Sequence, residues 1–231
     1  MTRLIVLVEG QTEEAFVKAL LRPHLEERGV YVSATIVGKL IGQGRGHGQR
    51  GGGHYRHWRR DLVRLLQPRT PDLRVTTLFD LYGLPEDFPE YDSIMQSRDR
   101  GTRRAAFERA LAENVKDHRL LPYIQQYEFE ALVLAALPSL RQLLDAPDQL
   151  TGLAVLEAEI ASLAPEDVND GPDTAPSKRL LNHIPGYRKV LFGELATVDA
   201  GLSALRTACP GFNGWIDYLE RLGAVADDAQ R

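Results

Sequence analysis

The chain has 231 residues, of which 43% are hydrophobic and 26% charged, and its formal net charge is −4. This composition is typical of a globular protein that buries its core in one domain, or in one domain with an extension. The negative charge excludes a bulk attraction to nucleic acid, so such binding would need a local basic patch. One cysteine, no membrane-length apolar run and no secretion signal predict a cytoplasmic protein that does not enter a membrane.

Apolar, β-prone runs alternate with helical patterns in the first part of the chain. Strands are predicted at residues 4–8, 30–37, 73–79 and 120–124. Helices are predicted from an N-cap at Thr12 to Gly29, with a kink or break at Pro23, and at residues 55–66, 102–116 and 127–137. The alternation indicates a largely parallel sheet of four strands, and Pro122 places the last strand at an edge.

Strand signals stop after about residue 138. Short helices are predicted beyond that point, at residues 150–163, 177–183, 191–198, 202–207 and 215–222. We therefore predict an α/β domain over residues 1–138 and a helical extension over residues 139–231 that packs on it. Phe212 and Trp215 are interpreted as core anchors of this extension.

Two predicted strands end on an acid, the first on Glu9 and the third on Asp80. In an open parallel sheet, ligands bind beyond the carboxyl ends of the strands, so these carboxylates are expected to converge. Glu128 and Glu130 follow the fourth strand in the same way. Converging carboxylates repel each other unless a cation or proton neutralises them, and hard oxygen ligands suit Mg²⁺ or Mn²⁺.

Each acid also has a structural interpretation. Glu128 and Glu130 can lie in a first helical turn, stabilised by the helix dipole, and residues two apart on a helix do not share a face. At most one of the two is then expected to face the site. Asp80 can be a turn residue. For Glu9 the structural interpretation is weaker, because a buried strand end is a costly place for an idle carboxylate.

Four stretches in order carry a resemblance to a known family: "VEGQTEE", "TLFDLYGLP", "PYIQQYEFEALVLAAL" and "APSKRLLNHIPGYRKVLFG". Together they resemble the domain of unknown function 4276 family, an uncharacterised bacterial family within the Toprim superfamily. That superfamily includes topoisomerases, primases and OLD-type nucleases. The resemblance runs from Leu4 to about Leu222 and implies a Toprim-like, Rossmannoid α/β domain with an acidic, metal-binding site.

The resemblance also implies roles for particular residues. Glu9 matches a strand-end glutamate that acts as general acid/base or metal ligand, and Asp80 matches the first aspartate of an Asp-x-Asp metal motif. The second aspartate position holds Tyr82, so Glu128 or Glu130 would have to replace it. We assign Asp80 as a metal ligand, Glu9 as a ligand or base and Glu128 as a further ligand, with Glu130 as another candidate metal ligand.

A glycine-rich, acid-free segment over residues 42–60 is the first candidate for phosphate binding. Arginines bind phosphate in a bidentate manner, and Tyr55 and Trp58 could stack on bases. The alternative is a surface loop whose charge only solubilises. Lys178, Arg179 and Lys189 in the extension are the other candidates, and exposed charges on a capped helix are their alternative. The candidate arginines of the first segment are Arg45, Arg50, Arg56 and Arg59.

Two functional hypotheses follow. The first is a Mg²⁺- or Mn²⁺-dependent nuclease or phosphodiester-processing protein that binds nucleic acid, for which the resemblance implies a role in anti-phage defence with a partner ATPase. This chain has no nucleotide P-loop of its own. The second is a non-catalytic binding or regulatory subunit for nucleic acid or a phosphate ligand, which Tyr82 at the second aspartate position favours.

Overall fold

The computed structural model describes residues 1–38, 53–97, 99, 101–169 and 171–228. Residues 42–52 of the predicted glycine-rich segment, which include Arg45 and Arg50, lie outside these residues. The remaining predictions can be compared with the structure.

The sheet has the parallel arrangement that the sequence predicts. Its strands follow the order β2-β1-β3-β4, with β5 paired to β3 beyond the end of β4, and every pairing is parallel. The fold class is therefore confirmed as α/β with a mostly parallel sheet and a helical C-terminal region. The strands are β1 (Thr2–Val8), β2 (Val30–Ile36), β3 (Leu73–Asp80), β4 (Leu120–Leu121) and β5 (Ile124–Gln125).

The predicted fourth strand lies at the sheet edge but is divided between β4 and β5. Pro122 and Tyr123 separate the two pieces, and proline has no N–H to donate to a ladder. The Thr77 hydroxyl takes over part of the ladder, donating to the Tyr123 carbonyl at 2.8 Å and accepting from the Tyr123 N–H at 2.9 Å. The strand therefore keeps its direction across the interruption.

Helices occupy most of the remaining chain, and two of them were not predicted, α4 and α7. The helix that includes both residues 191–198 and 202–207 is continuous apart from Gly201, whose φ of 74° is not helical. The helices are α1 (Gln11–Phe16), α2 (Arg22–Glu26), α3 (Tyr55–Leu66), α4 (Tyr91–Met95), α5 (Arg103–Val115), α6 (Glu130–Ala135), α7 (Leu137–Gln142), α8 (Pro147–Ile160), α9 (Pro176–His183), α10 (Lys189–Ala208) and α11 (Pro210–Asp228).

Three local predictions need correction. Gly10, not Thr12, is the N-cap of α1. Pro23 does not break the helical run: a π-helical segment at Val17–Leu21 continues directly into α2, which contains Pro23. The helix predicted from residue 127 begins only at α6, because Tyr127 has a φ of 62°.

The sheet separates two hydrophobic layers, since alternate residues of a strand face opposite sides. Leu7 and Phe79 face the layer that contains Trp58 of α3 and Phe107 of α5. The opposite faces of β1 and β3 belong to the other layer, which includes residues of α1, α2, β2 and every helix from α6 to α11. This second layer joins both parts of the chain, and the proposed division at residue 138 stays a prediction.

Within the described part of the chain, no helix combines the length and the apolar character needed to cross a bilayer.

A close crossing of α8 and α9 generates the first testable prediction. A Cβ added to Gly152 would lie 1.7 Å from the His183 carbonyl oxygen, whereas one added to Gly214 in α11 would meet no atom within 4 Å. Gly152→Ala should lower the free energy of unfolding by about 1–3 kcal/mol, the usual cost of overpacking. Gly214→Ala should leave it unchanged or raise it by up to about 1 kcal/mol through helix propensity. Urea unfolding of both variants measures these changes. Equal free energies of unfolding for the two variants would contradict the close contact between Gly152 and the His183 carbonyl.

Candidate acidic site at the carboxyl ends of the strands

Glu9 and Asp80 meet where β1 and β3 end, as the sequence predicts. The Glu9 Oε1 accepts a hydrogen bond of 2.6 Å from the Asp80 backbone N–H. Its other oxygen lies against Gly83, where an added Cβ would be only 2.3 Å from Oε2. Burial raises the pKa of Glu9 to about 8, and the charge of Glu13 adds to this effect, while the hydrogen bond from Asp80 opposes it.

Asp80 lies at the centre of the acidic cluster. Its Oδ1 accepts a hydrogen bond of 2.8 Å from the Phe129 N–H. Burial raises the pKa of Asp80 well above its ordinary value, and nearby negative charges raise it further. In order of effect, those charges belong to Glu9, Glu13, Glu130 and Glu128. Five carboxyl groups therefore act on one another at this edge of the sheet.

Glu13 is a member of this cluster that the sequence analysis missed. It lies in the first turn of α1, and its side chain is buried. Its Oε2 accepts a hydrogen bond of 2.9 Å from the Gly10 N–H, which closes the start of α1. Burial raises the pKa of Glu13, while backbone hydrogen bonds and the charge of Lys189 lower it. The spacing Glu9-x-x-x-Glu13 across a helix start is the signal that could have found it.

Glu130 and Glu128 approach the cluster from the segment after β5. Glu130 lies in the first turn of α6, is 4% exposed, and pairs with the Lys189 ammonium at 3.2 Å. Burial raises the pKa of Glu130, the Lys189 charge lowers it, and Glu128 raises it. Because Glu128 precedes the helix, helical spacing does not separate the two, and both act on Asp80.

The Glu128 carboxylate binds the N-terminus of α9. Its Oε2 accepts from the Ser177 N–H at 2.8 Å and its Oε1 from the Ser177 hydroxyl at 3.0 Å. The helix end where Lys178 was expected to help hold an anion is thus occupied by the chain's own carboxylate. Glu128 joins the acidic cluster to the helical extension.

Gln125 is a second residue that the sequence analysis missed. It pairs with Asp80 in the sheet register and is fully buried. Its Oε1 accepts a hydrogen bond of 2.7 Å from the Tyr123 hydroxyl, but its amide nitrogen has no hydrogen-bond partner among the described residues. A buried amide without a partner costs free energy, so this N–H group is a local source of instability on the strand next to Asp80.

The chemistry of these donors fits a hard divalent cation. Buried carboxylates with raised pKa values attract either protons or a cation, and oxygen-only donors suit Mg²⁺ or Mn²⁺. Asp80 and Glu13 are the residues that would hold it, with Glu9 hydrogen-bonded to the Asp80 backbone next to them. Over the described ranges, however, no three Asp, Glu, His or Cys side chains already form a ligand set. In the arrangement that the structure shows, Lys189 is the cation placed among these acids.

The cations that the sequence proposed for phosphate binding divide into several groups. Arg56 and Arg59 lie on the exposed face of α3, where the Arg59 Nε donates to the Asn114 side chain at 3.0 Å. Tyr55 and Trp58, expected to stack on bases, are instead buried beneath this face. The helix therefore presents its arginines, and not its aromatic rings, to solvent.

The three cations of the extension have different surroundings. Lys178 is exposed on α9. The Arg179 guanidinium donates to the Thr174 carbonyl at 3.0 Å and pairs with Glu159 at 3.1 Å, so a phosphate would have to displace these contacts. Lys189 begins α10 and lies within the acidic cluster.

Tyr82 lies beside the acidic site and not in it. It belongs to a 3₁₀ turn at Leu81–Gly83, and 42% of its surface is exposed. Its ring packs on that of Tyr127 with a centroid distance of 5.4 Å. The position that the resemblance reserves for a second aspartate therefore carries an aromatic side chain at the rim.

The fold and the position of this acidic cluster define an α/β protein with a carboxylate cluster at the carboxyl ends of its parallel strands. Among solved structures, the chain is similar to the C-terminal region of the Burkholderia pseudomallei OLD protein, with a TM-score of 0.50 and 16% identity over 95% of this chain and 98% of that one. It is also similar to the C-terminal region of the Xanthomonas campestris pv. campestris OLD protein, with a TM-score of 0.42 and 16% identity over 99% and 98% of the two chains.

The sequence places the chain in a family. Residues 8–220 match the domain of unknown function family DUF4276, and the chain belongs to that family. No curated protein matches the sequence. The predicted membership, based on four short motifs, is therefore confirmed over most of the chain.

The raised pKa of Glu9 predicts that protein stability falls as pH rises. The folded protein holds this proton up to about pH 8, while the unfolded chain releases it near pH 4.5. The unfolded state therefore binds fewer protons between these values, and stability declines across that window. Glu9→Gln removes the free-energy cost of burying this charge at pH 8. It should raise the melting temperature there by roughly 2–4 °C for each kcal/mol of that cost, and change it little at pH 4. Thermal unfolding at both pH values measures this, and an equal shift at both would be the contrary result.

Proposed function

We propose that this protein is a metal-dependent nuclease or phosphodiester-processing enzyme that acts on nucleic acid. The observation that carries the proposal is the cluster of five carboxyl groups, buried or half-buried, where two parallel strands end. Family membership and the likeness in fold to OLD C-terminal regions support the same interpretation. Cytoplasmic defence against foreign DNA, together with a separate ATPase, is the wider role that the Toprim resemblance supports.

The chemistry assigns roles to this chain's own residues. A divalent cation, when bound, would neutralise charge on the phosphoryl oxygens and lower the pKa of a bound water. Asp80 and Glu13 would hold that cation. Glu9, with a pKa of about 8, keeps its proton near neutral pH and is suited to donate it to the leaving oxygen as a general acid.

Lys189 has a separate role in the proposed reaction. It pairs with Glu130 and lowers the pKa of both Glu130 and Glu13. These two carboxylates are therefore held closer to their charged form than burial alone would allow. Lys189 thus favours the deprotonated carboxylates that a metal ion would bind.

The direct test is cleavage of single- and double-stranded DNA and RNA with Mg²⁺ or Mn²⁺. Glu9→Gln and Asp80→Asn should each lower the rate by roughly 10²–10⁴-fold, the usual contribution of a positioned acid or base. Both variants replace a repelled carboxyl by a neutral group of similar size, so their melting temperatures should not fall. Glu27→Gln, on a side chain that is 78% exposed, is the matched control and should have no effect.

A further variant separates geometry from charge in the same assay. Gly83→Ala keeps every acid but places a methyl group where the Glu9 carboxylate lies, so cleavage should fall without a change of net charge. The proposal fails if wild-type protein cleaves none of these substrates, alone or with its genomic neighbour. Mn²⁺ that raises the melting temperature of such an inactive protein would favour the non-catalytic binding subunit instead.

Arg56 and Arg59 on the exposed face of α3 predict the electrostatic part of nucleic-acid binding. Each phosphate contact contributes about one unit to the slope of log affinity against log salt concentration. The double variant Arg56→Ala/Arg59→Ala should lower that slope by about 1–2 and weaken binding uniformly across sequences. Arg22→Ala, an exposed arginine on α2, is the control. Fluorescence anisotropy over a salt series measures the slope, and an unchanged slope would assign these arginines to solubility alone.

A further inference from the structure

Two tyrosines form an aromatic rim next to the acidic cluster. The rings of Tyr82 and Tyr127 lie 5.4 Å apart between centroids, with an interplanar angle of 44°. Tyr82 is 42% exposed, although it is a large aromatic residue. Part of this aromatic pair is therefore accessible to solvent.

Two hydrogen bonds connect this pair to the acidic cluster. The Tyr82 N–H donates to the Tyr127 carbonyl at 3.0 Å, and the Phe129 N–H donates to the Asp80 carboxylate at 2.8 Å. Gly83, the residue after Tyr82, lies against the Glu9 carboxylate. The segments that carry the rings are thus the same segments that carry the carboxyl groups.

The backbone of Tyr127 is held in an unfavourable conformation. Its φ of 62° is in the left-handed region, which L-residues other than Asn and Asp rarely adopt. Such conformations persist where the surrounding structure imposes them, and they concentrate at binding and active sites. Here the conformation places the Tyr127 ring on Tyr82 and brings the following residue, Glu128, into electrostatic contact with Asp80.

We propose that Tyr82 and Tyr127 form a stacking platform for an unpaired nucleobase whose phosphate lies at the acidic cluster. This inference rests on the proposed function and specifies its substrate class. Every base has a π-face that an aromatic side chain can stack on, so the platform is tolerant of sequence. In a duplex, neighbouring base pairs cover those faces, so the substrate is a single strand, a strand end or an extruded base.

The platform gives a physical reason for the aromatic residue where the resemblance expects aspartate. An acid at position 82 would add a further negative charge to a cluster in which charges already raise the pKa of Asp80. Tyrosine adds none and binds the uncharged part of a nucleotide. Position 82 therefore contributes to substrate binding and not to metal binding.

The test is binding of phosphorothioate-linked oligonucleotides that contain 2-aminopurine, whose fluorescence falls on stacking. Three forms of one sequence are compared: a single strand, its duplex, and a single strand with an abasic site in place of the 2-aminopurine. Wild-type protein should quench the single strand and bind it more tightly than the abasic strand by roughly 5- to 100-fold, the range for one stacked base.

Matched variants isolate the rings. Tyr82→Ala should abolish the quenching and bind the two single strands equally, while Tyr82→Phe should behave as wild type. Tyr127→Gly removes the second ring, and glycine suits the φ of 62°, so the loop keeps its conformation. Tyr31→Ala, on a tyrosine of β2 that is 48% exposed, is the control and should have no effect.

The outcomes separate the two proposals. Quenching without cleavage of ordinary strands supports the platform and overturns the catalytic function. Cleavage that is equal on single strand and duplex and unchanged by Tyr82→Ala overturns the platform and leaves the catalytic function intact. Failure of wild-type protein to bind any oligonucleotide overturns both.

Discussion

The convergence of five carboxyl groups at one edge of the sheet, two of them buried and three half-buried, is the constraint on which the rest of the structure depends. Each buried carboxylate must have hydrogen-bond donors, because an unpaired buried charge is very costly. Four of the five obtain a backbone N–H, and those N–H groups belong to separate parts of the chain. The donors are Asp80 for Glu9, Gly10 for Glu13, Phe129 for Asp80 and Ser177 for Glu128.

These hydrogen bonds connect the strands, α1, the segment before α6 and the start of α9. Burial and the neighbouring carboxylates outweigh these contacts, so the pKa values of Glu9 and Asp80 stay raised. The same contacts that organise the fold therefore leave a site that favours protons or a cation. The same residues determine stability and the proposed chemistry. Replacing one of these carboxylates by a neutral side chain is expected to stabilise the fold and to lower the activity.

The helical extension contributes directly to this site. Lys189 begins α10 and pairs with Glu130, and Ser177 begins α9 and binds Glu128. One hydrophobic layer also includes side chains from both parts, among them Phe16 and Phe212, whose rings lie 6.0 Å apart. The C-terminal helices supply the Lys189 ammonium and part of the hydrophobic core, so the site depends on them as much as on the sheet.

The sequence by itself determined the strands, most helices, the α/β class and the family. The spacing of apolar residues and the residues that flank each element are local signals, readable within a few positions of the chain. Leu4–Val8 is apolar enough to define a buried parallel strand, and Glu9 at its end marked the site. Only the tertiary structure decided which side chains share that site. Glu13, Gln125 and Lys189 joined it through helix packing and sheet register, and Tyr82 was set at its rim by the backbone of Tyr127. Such convergence depends on contacts between residues far apart in the chain, which local patterns do not encode.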